Sequence, residues 1–125
     1  MVKVTMYFFE IAYHYQVDEM RLSSVLEVMQ REISRLRQEY EVRYFDIYHQ
    51  YVCAPLENGT VSVMLECIAG GYSNENLRAM LEALGNLFER ISDRWDFYTN
   101  EVNDKECYFT DSAKEYWRKK YGCEL

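Results

Sequence analysis

Proline is nearly absent, with one residue among 125, and glycine is sparse, with five. That excludes a flexible linker, a low-complexity tract or a collagen-like repeat, and leaves text that folds along its length. No apolar run approaches the ~20 residues that a membrane-crossing helix needs. The opening stretch, residues 1–10, alternates like a strand and lacks a small-residue cleavage site, so neither a span nor a secretory leader is expected. Basic residues are outnumbered 14 to 21, for a formal charge of −7. Nucleic acid and anionic membrane both ask for a basic footprint, so neither is an expected direct partner. The reading is a cytoplasmic protein of one domain.

Motifs are missing too. No C-x-x-C pair occurs, and Cys53, Cys67, Cys107 and Cys123, without an export signal, read as reduced thiols. His49 and Cys53 fall in strand text, where positions four apart lie about 13 Å from each other. They cannot share one zinc ion, so no metal site is expected. There is no G-x-S-x-G, no P-loop and no G-x-G-x-x-G; Gly70-Gly71 lacks the remaining glycines. No catalytic residue and no cofactor are assigned.

What is present is a repeat. Leu22, Leu26, Met29, Ile33, Leu36 and Tyr40 follow a 4-3-4-3-4 spacing, and Leu77, Leu81, Leu84, Phe88, Ile91 and Trp95 repeat it 55 residues later. Each set lines one face of a long helix, because residues three and four apart stack on one side. Strand text precedes each helix, at 8–12 and 64–68, and follows each, at 42–53 and 97–102. His14 stands before an expected loop. Glu57-Asn58-Gly59-Thr60 reads as a type I′ hairpin turn. With Asn58 and Gly59 as the turn, Val52 faces Leu65, Ala54 faces Val63 and Leu56 faces Val61, an apolar face for the helices. Pro55 marks its strand as an outer one.

Right-handed crossovers then put the two pre-helix strands in the centre, in the order fourth, first, third, second. The expectation is an α+β, ferredoxin-like β-α-β-β-α-β plait over residues 1–103, with an antiparallel four-stranded sheet and two helices on one face. Residues 104–125 form an extension ending in a short helix, opened by Ser112 with Glu115 or by Asp111, and stopped at Gly122. Arg118, Lys119 and Lys120 suit its negative pole.

The same register lists the other sheet face: Val4, Met6, Phe8, Glu10, Ala12, Phe45, Ile47, His49, Tyr51, Cys53, Ser62, Met64, Glu66 and Ile68. A sheet face in water is mostly polar, whereas this one is rich in Met and aromatics. Its covers are the tail, through Tyr108, Phe109, Tyr116, Trp117 and Tyr121, a second copy in a homodimer, or another protein. Met6, Phe8, Phe45, Tyr51 and Met64 are its candidate interface. Glu10, His49, Tyr51 and Glu66 draw an alternative pocket there, since paired carboxylates can share a proton; structural hydrogen bonding is the plainer use. Asp93, Asp96, Glu101, Asp104 and Glu106 form an acidic run suited to a basic partner.

Small, acidic, rich in tyrosine and free of catalytic motifs, the chain has the profile of a non-catalytic protein-binding inhibitor. Its expected target is a basic, nucleic-acid-processing enzyme, as for a phage anti-defence antagonist or an immunity protein. A small-molecule-binding plait, or minor enzyme, and a subunit of a larger assembly are the alternatives.

Overall fold

The computed structural model describes residues 6–52, 59–92, 94–102 and 110–122, the side chains of 95–102 excepted. Strand β1 (Tyr7–Asp18) passes through a short 3-10 turn (Glu19–Arg21) into helix α1 (Leu22–Glu39). Strands β2 (Tyr44–Val52) and β3 (Thr60–Gly71), helix α2 (Asn74–Ile91), strand β4 (Arg94–Val102) and helix α3 (Asp111–Tyr121) follow. The strands hydrogen-bond in the order β2-β3-β1-β4, each neighbour antiparallel.

The helical stripes fold as amphipathic faces. Val25, Met29, Ile33 and Leu36 are the buried residues of α1; Leu77, Met80, Leu81, Leu84, Leu87 and Phe88 do the same work in α2. Val25 and Met80 complete the stripes that the repeat outlined. Ser73 caps α2 by accepting the Asn76 N–H at 3.1 Å. Helix α2 ends at Ile91, so Trp95, expected on its last turn, belongs to β4 instead.

Period-two alternation does the rest. Phe9, Ile11, Tyr13, Tyr15 and Val17 of β1, with Val61, Val63, Leu65, Cys67 and Ala69 of β3, turn to the helices and form the core. β1 runs on to Asp18, so His14, expected just before a loop, sits in mid-strand opposite Met64. Burial pushes the Tyr15 phenol well up, and its hydroxyl has no hydrogen-bond partner among the described residues. Removing an unpaired buried hydroxyl releases a desolvation cost of ~1 kcal/mol or more. Tyr15→Phe is therefore expected to raise the melting temperature by a few degrees; a lower one in thermal denaturation would contradict an unpaired hydroxyl.

Two parts of the hairpin differ from expectation. Val52 pairs with Val63, not Leu65, a two-residue slip that keeps every side chain on its side; Val52 itself is 48% exposed. Ala54, Pro55, Leu56, Glu57 and Asn58 lie outside the described residues. Further along, the register jumps between Ile47 and His49, leaving Tyr48 as an extra residue. This bulge reverses the facing of the first half of β2. Phe45 is buried in the helix-side core with Ile47 packed against it, and neither is on the opposite face.

Candidate functional site

The side of the sheet away from α1 and α2 carries Phe8, Glu10, Glu66 and Ile68 and, through the bulge, Tyr44, Asp46 and Tyr48. Helix α3 lies over one end of it. Ile68, Ala113 and Trp117 are buried there, ringed by Phe8, Tyr44, Tyr48, Tyr116 and Tyr121. Trp117 meets Phe8 edge-on at 5.3 Å and Tyr44 at 5.0 Å between ring centres. The N-cap of α3 is Thr110, not Asp111 or Ser112: its hydroxyl accepts the Ala113 N–H at 3.3 Å. Gly122, with φ of 70°, closes the other end. Tyr108 and Phe109, the tail's other expected covers, lie outside the described residues.

Two buried carboxylates hold the helix by its ends. Glu10, 5% exposed, accepts the Thr110 N–H at 3.1 Å, the Thr110 hydroxyl at 2.6 Å and the Tyr48 hydroxyl at 2.7 Å. Its charge stands at the positive pole of α3. Asp46, 8% exposed, uses one oxygen, Oδ2, for Tyr121 at 2.6 Å, Lys120 at 3.0 Å and Tyr116 at 3.3 Å. Lys120 is thus a partner of the sheet as well as of the helix dipole, while Lys119 pairs with Glu115 at 3.1 Å.

Of the four residues drawn as a pocket, Glu66 contacts His49, with Nδ1 3.5 Å from Oε1, and the His49 ring lies 3.8 Å from that of Tyr51. Glu10 joins them only through Tyr48, whose hydroxyl is also 3.2 Å from Glu66 Oε2. That hydroxyl carries one proton, and the shorter contact to Glu10 claims it. With three donors already on it, Glu10 is engaged as an anchor and offers little to a substrate. Cys67 faces the core, and burial pushes its thiol up, so it is a poor nucleophile.

The remaining expected residues scatter. Met6 and Met64 are half-buried and Tyr51 is 40% exposed. Asp96 stands opposite His14 and Glu101 opposite Phe9 on β4. Asp93, Asp104 and Glu106, with Val4, Cys53, Cys107 and Cys123, lie outside the described residues. Among the described residues no group of three His, Cys, Asp or Glu could hold a metal ion. Sequence reasoning missed Asp46, Tyr48 and Thr110. The first two were detectable as a phase change: Phe45 and Ile47 are apolar at odd positions, Val52 at an even one, and a bulge reconciles them.

The tyrosines make this site sensitive to alkali. Burial first, then donation to Glu10, pushes the Tyr48 phenol well above its usual value; burial and donation to Asp46 push Tyr121 up to about 12. The folded chain therefore holds these protons more tightly than the unfolded one. Their stabilisation is fully present below about pH 10 and is lost as pH rises through the folded values. Part of the absorbance change from the twelve tyrosines is expected to lag until α3 leaves the sheet. All twelve ionising near pH 10 with Trp117 fluorescence unchanged would contradict this.

No family model matches the chain, and no curated protein is significantly similar in sequence. Solved structures are similar in fold. Part of a tripeptidase from Staphylococcus aureus subsp. aureus Mu50 superposes with a TM-score of 0.51 at 14% identity, over 81% of this chain and 32% of that one. A de novo designed protein, Foldit4, gives 0.49 at 13% identity over 81% of this chain and all of that one. A dimeric ferredoxin-like protein from an uncultured marine organism gives 0.49 at 9% identity, over 82% and 100%. The chain is an α+β protein with ferredoxin-like proteins among its structural neighbours.

Proposed function

We propose that the chain is a ferredoxin-like plait acting as a non-catalytic protein-binding module, an inhibitor or antagonist that occupies a basic surface of a nucleic-acid-processing enzyme. One observation carries this reading. The buried carboxylates Glu10 and Asp46 are taken up in anchoring α3, while beyond that helix the outer strand β2 leaves Tyr51 40% and Val52 48% exposed. An outer strand with uncovered apolar and aromatic side chains is a template for a partner. The charge of −7 steers that partner towards a basic one. A second copy docking through the same strand gives the homodimer. The reading places the protein in the cytoplasm; no helix among the described residues is long and apolar enough to cross a membrane.

The test is affinity capture from the native cell, comparing the unaltered chain with one carrying Lys at Asp93, Asp96, Glu101, Asp104 and Glu106. A basic protein held by the first, released by salt and lost by the second is the expected result; equal retention by both would defeat it. Light scattering of Tyr51→Asp should report a monomer where the unaltered chain is a dimer. A second reading, a small-molecule site at Glu66, His49 and Tyr51, is favoured by the His49–Tyr51 ring contact at 3.8 Å. It is tested by ligand-induced thermal stabilisation that Glu66→Gln abolishes.

A further inference from the structure

A cleft of about 580 Å³ opens elsewhere, where the end of α1 and the turn into β2 meet the end of β3. Its volume falls in the range of small-molecule sites. Ile33, Val42 and Phe45, all buried, supply apolar surface, and Tyr72, 58% exposed, stands at the edge. Ser34, Gln38 and Glu41 add polar groups. A Cβ on Gly71 would lie 3.5 Å from the Arg43 backbone nitrogen. The β3 backbone thus approaches the turn closely and brings Tyr72 to the same rim.

Arg37 gives the cleft its chemistry. Its backbone carbonyl accepts the Val42 N–H at 3.0 Å, while its Nε donates to the Val42 carbonyl at 3.3 Å and Nη2 to the Arg43 carbonyl at 2.7 Å. The guanidinium is thereby fixed in place by neutral carbonyls. A guanidinium has five N–H donors, and the Nη1 pair is unspent among the described residues. No carboxylate pairs with Arg37 there, although acids outnumber bases 21 to 14 in the chain. Arg43 also lines the cleft, but its guanidinium lies over the Tyr44 ring, 5.6 Å from the ring centre, on the other face of the sheet. Within this loop Glu41 is the one described non-glycine residue with positive φ, 53°. The Glu41 N–H on the Gln38 carbonyl at 3.2 Å and the Val42 N–H on the Arg37 carbonyl make this the left-handed close of α1, which fixes the turn carrying Val42 and Arg43.

We propose that this cleft binds a small anion bearing a planar ring, of nucleoside-monophosphate size: the anionic group on Arg37 and the ring between Tyr72 and the apolar wall. A preset guanidinium suits phosphate or carboxylate, and a half-free tyrosine suits a ring. The site is separate from the protein-binding surface proposed above, and its test does not depend on that reading.

The experiment titrates the isotopically labelled full chain with AMP, GMP, CMP and UMP, and separately with adenosine and inorganic phosphate, following amide shifts. At least one nucleotide is expected to move the amides of Ser34, Gln38, Val42 and Tyr72, and to bind at least about tenfold more tightly than adenosine or phosphate alone. Tyr72→Ala, at an exposed position, should weaken it severalfold with the spectrum otherwise unchanged. No shifts at millimolar concentrations of all four nucleotides would overturn the proposal. So would shifts that map elsewhere, or phosphate binding as well as the nucleotide does.

Discussion

Trp117→Ala is expected to detach α3 from the sheet while α1, α2 and the strands stay folded. The indole is 4% exposed and touches Phe8 and Tyr44 from the sheet and Tyr121, at 4.2 Å, from its own helix. Truncating a buried Trp costs ~3–5 kcal/mol when the site cannot collapse. Here the loss is capped by the docking energy of the helix, because an eleven-residue helix that is no longer held can leave as a unit. An isolated helix of that length is marginal in water, so α3 should also fray. Amide exchange is the measurement: α3 amides should lose protection while those of β1 and β3 keep theirs. Freed of its cover, the Phe8, Tyr44 and Ile68 surface should bind a hydrophobic dye or drive self-association. Uniform loss of protection across the chain would instead make α3 part of one cooperative core.

Much of this arrangement could be read from residue order, because both helices and the central strands obey a period. The 3.6-residue spacing of Leu77 to Phe88 and the alternation of Val61 to Ala69 each admit one facing, and the structure adopts it. Helix ends were less legible. Trp95 continues the helical spacing of α2, yet the chain leaves the helix at Ile91, since spacing alone does not record where tertiary pairing begins. β2 defeated the argument for a different reason. A bulge adds a residue without changing composition, so Phe45 and Ile47 passed for open-face residues and Asp46 was missed. The candidate site inherited that error: its carboxylate Glu10 was visible, but its binding partners, Tyr48 and Thr110, depend on the bulge and on where the tail lands. Partners 100 residues apart, such as Glu10 and Thr110, leave no local pattern in a single sequence.

Glu10→Ala is expected to cost ~2–4 kcal/mol, since three donors lose a charged acceptor at once and a hydrogen bond to a charged group is worth ~1.5–3 kcal/mol net. Thr110 is exposed, so water can take over part of its bonding, which keeps the total below a simple sum. Glu10→Gln separates charge from shape. It keeps one carbonyl oxygen but turns an NH₂ towards a donor and removes the charge at the α3 N-terminus; ~1–2 kcal/mol should follow. The decisive number is the coupling to the helix. In a double-mutant cycle of Glu10→Gln with Thr110→Ala, read by denaturant unfolding, the two changes should share ~1 kcal/mol or more, because each removes the same bond. Tyr48→Phe serves as the comparison: it removes the phenol's bond to Glu10 and leaves Thr110 on Glu10 intact. Additive Glu10 and Thr110 effects would mean that the carboxylate does not anchor the helix. Glu10 would then regain the standing of a free acid on the sheet, and the catalytic reading of Glu10, Glu66 and His49 would have to be taken up again.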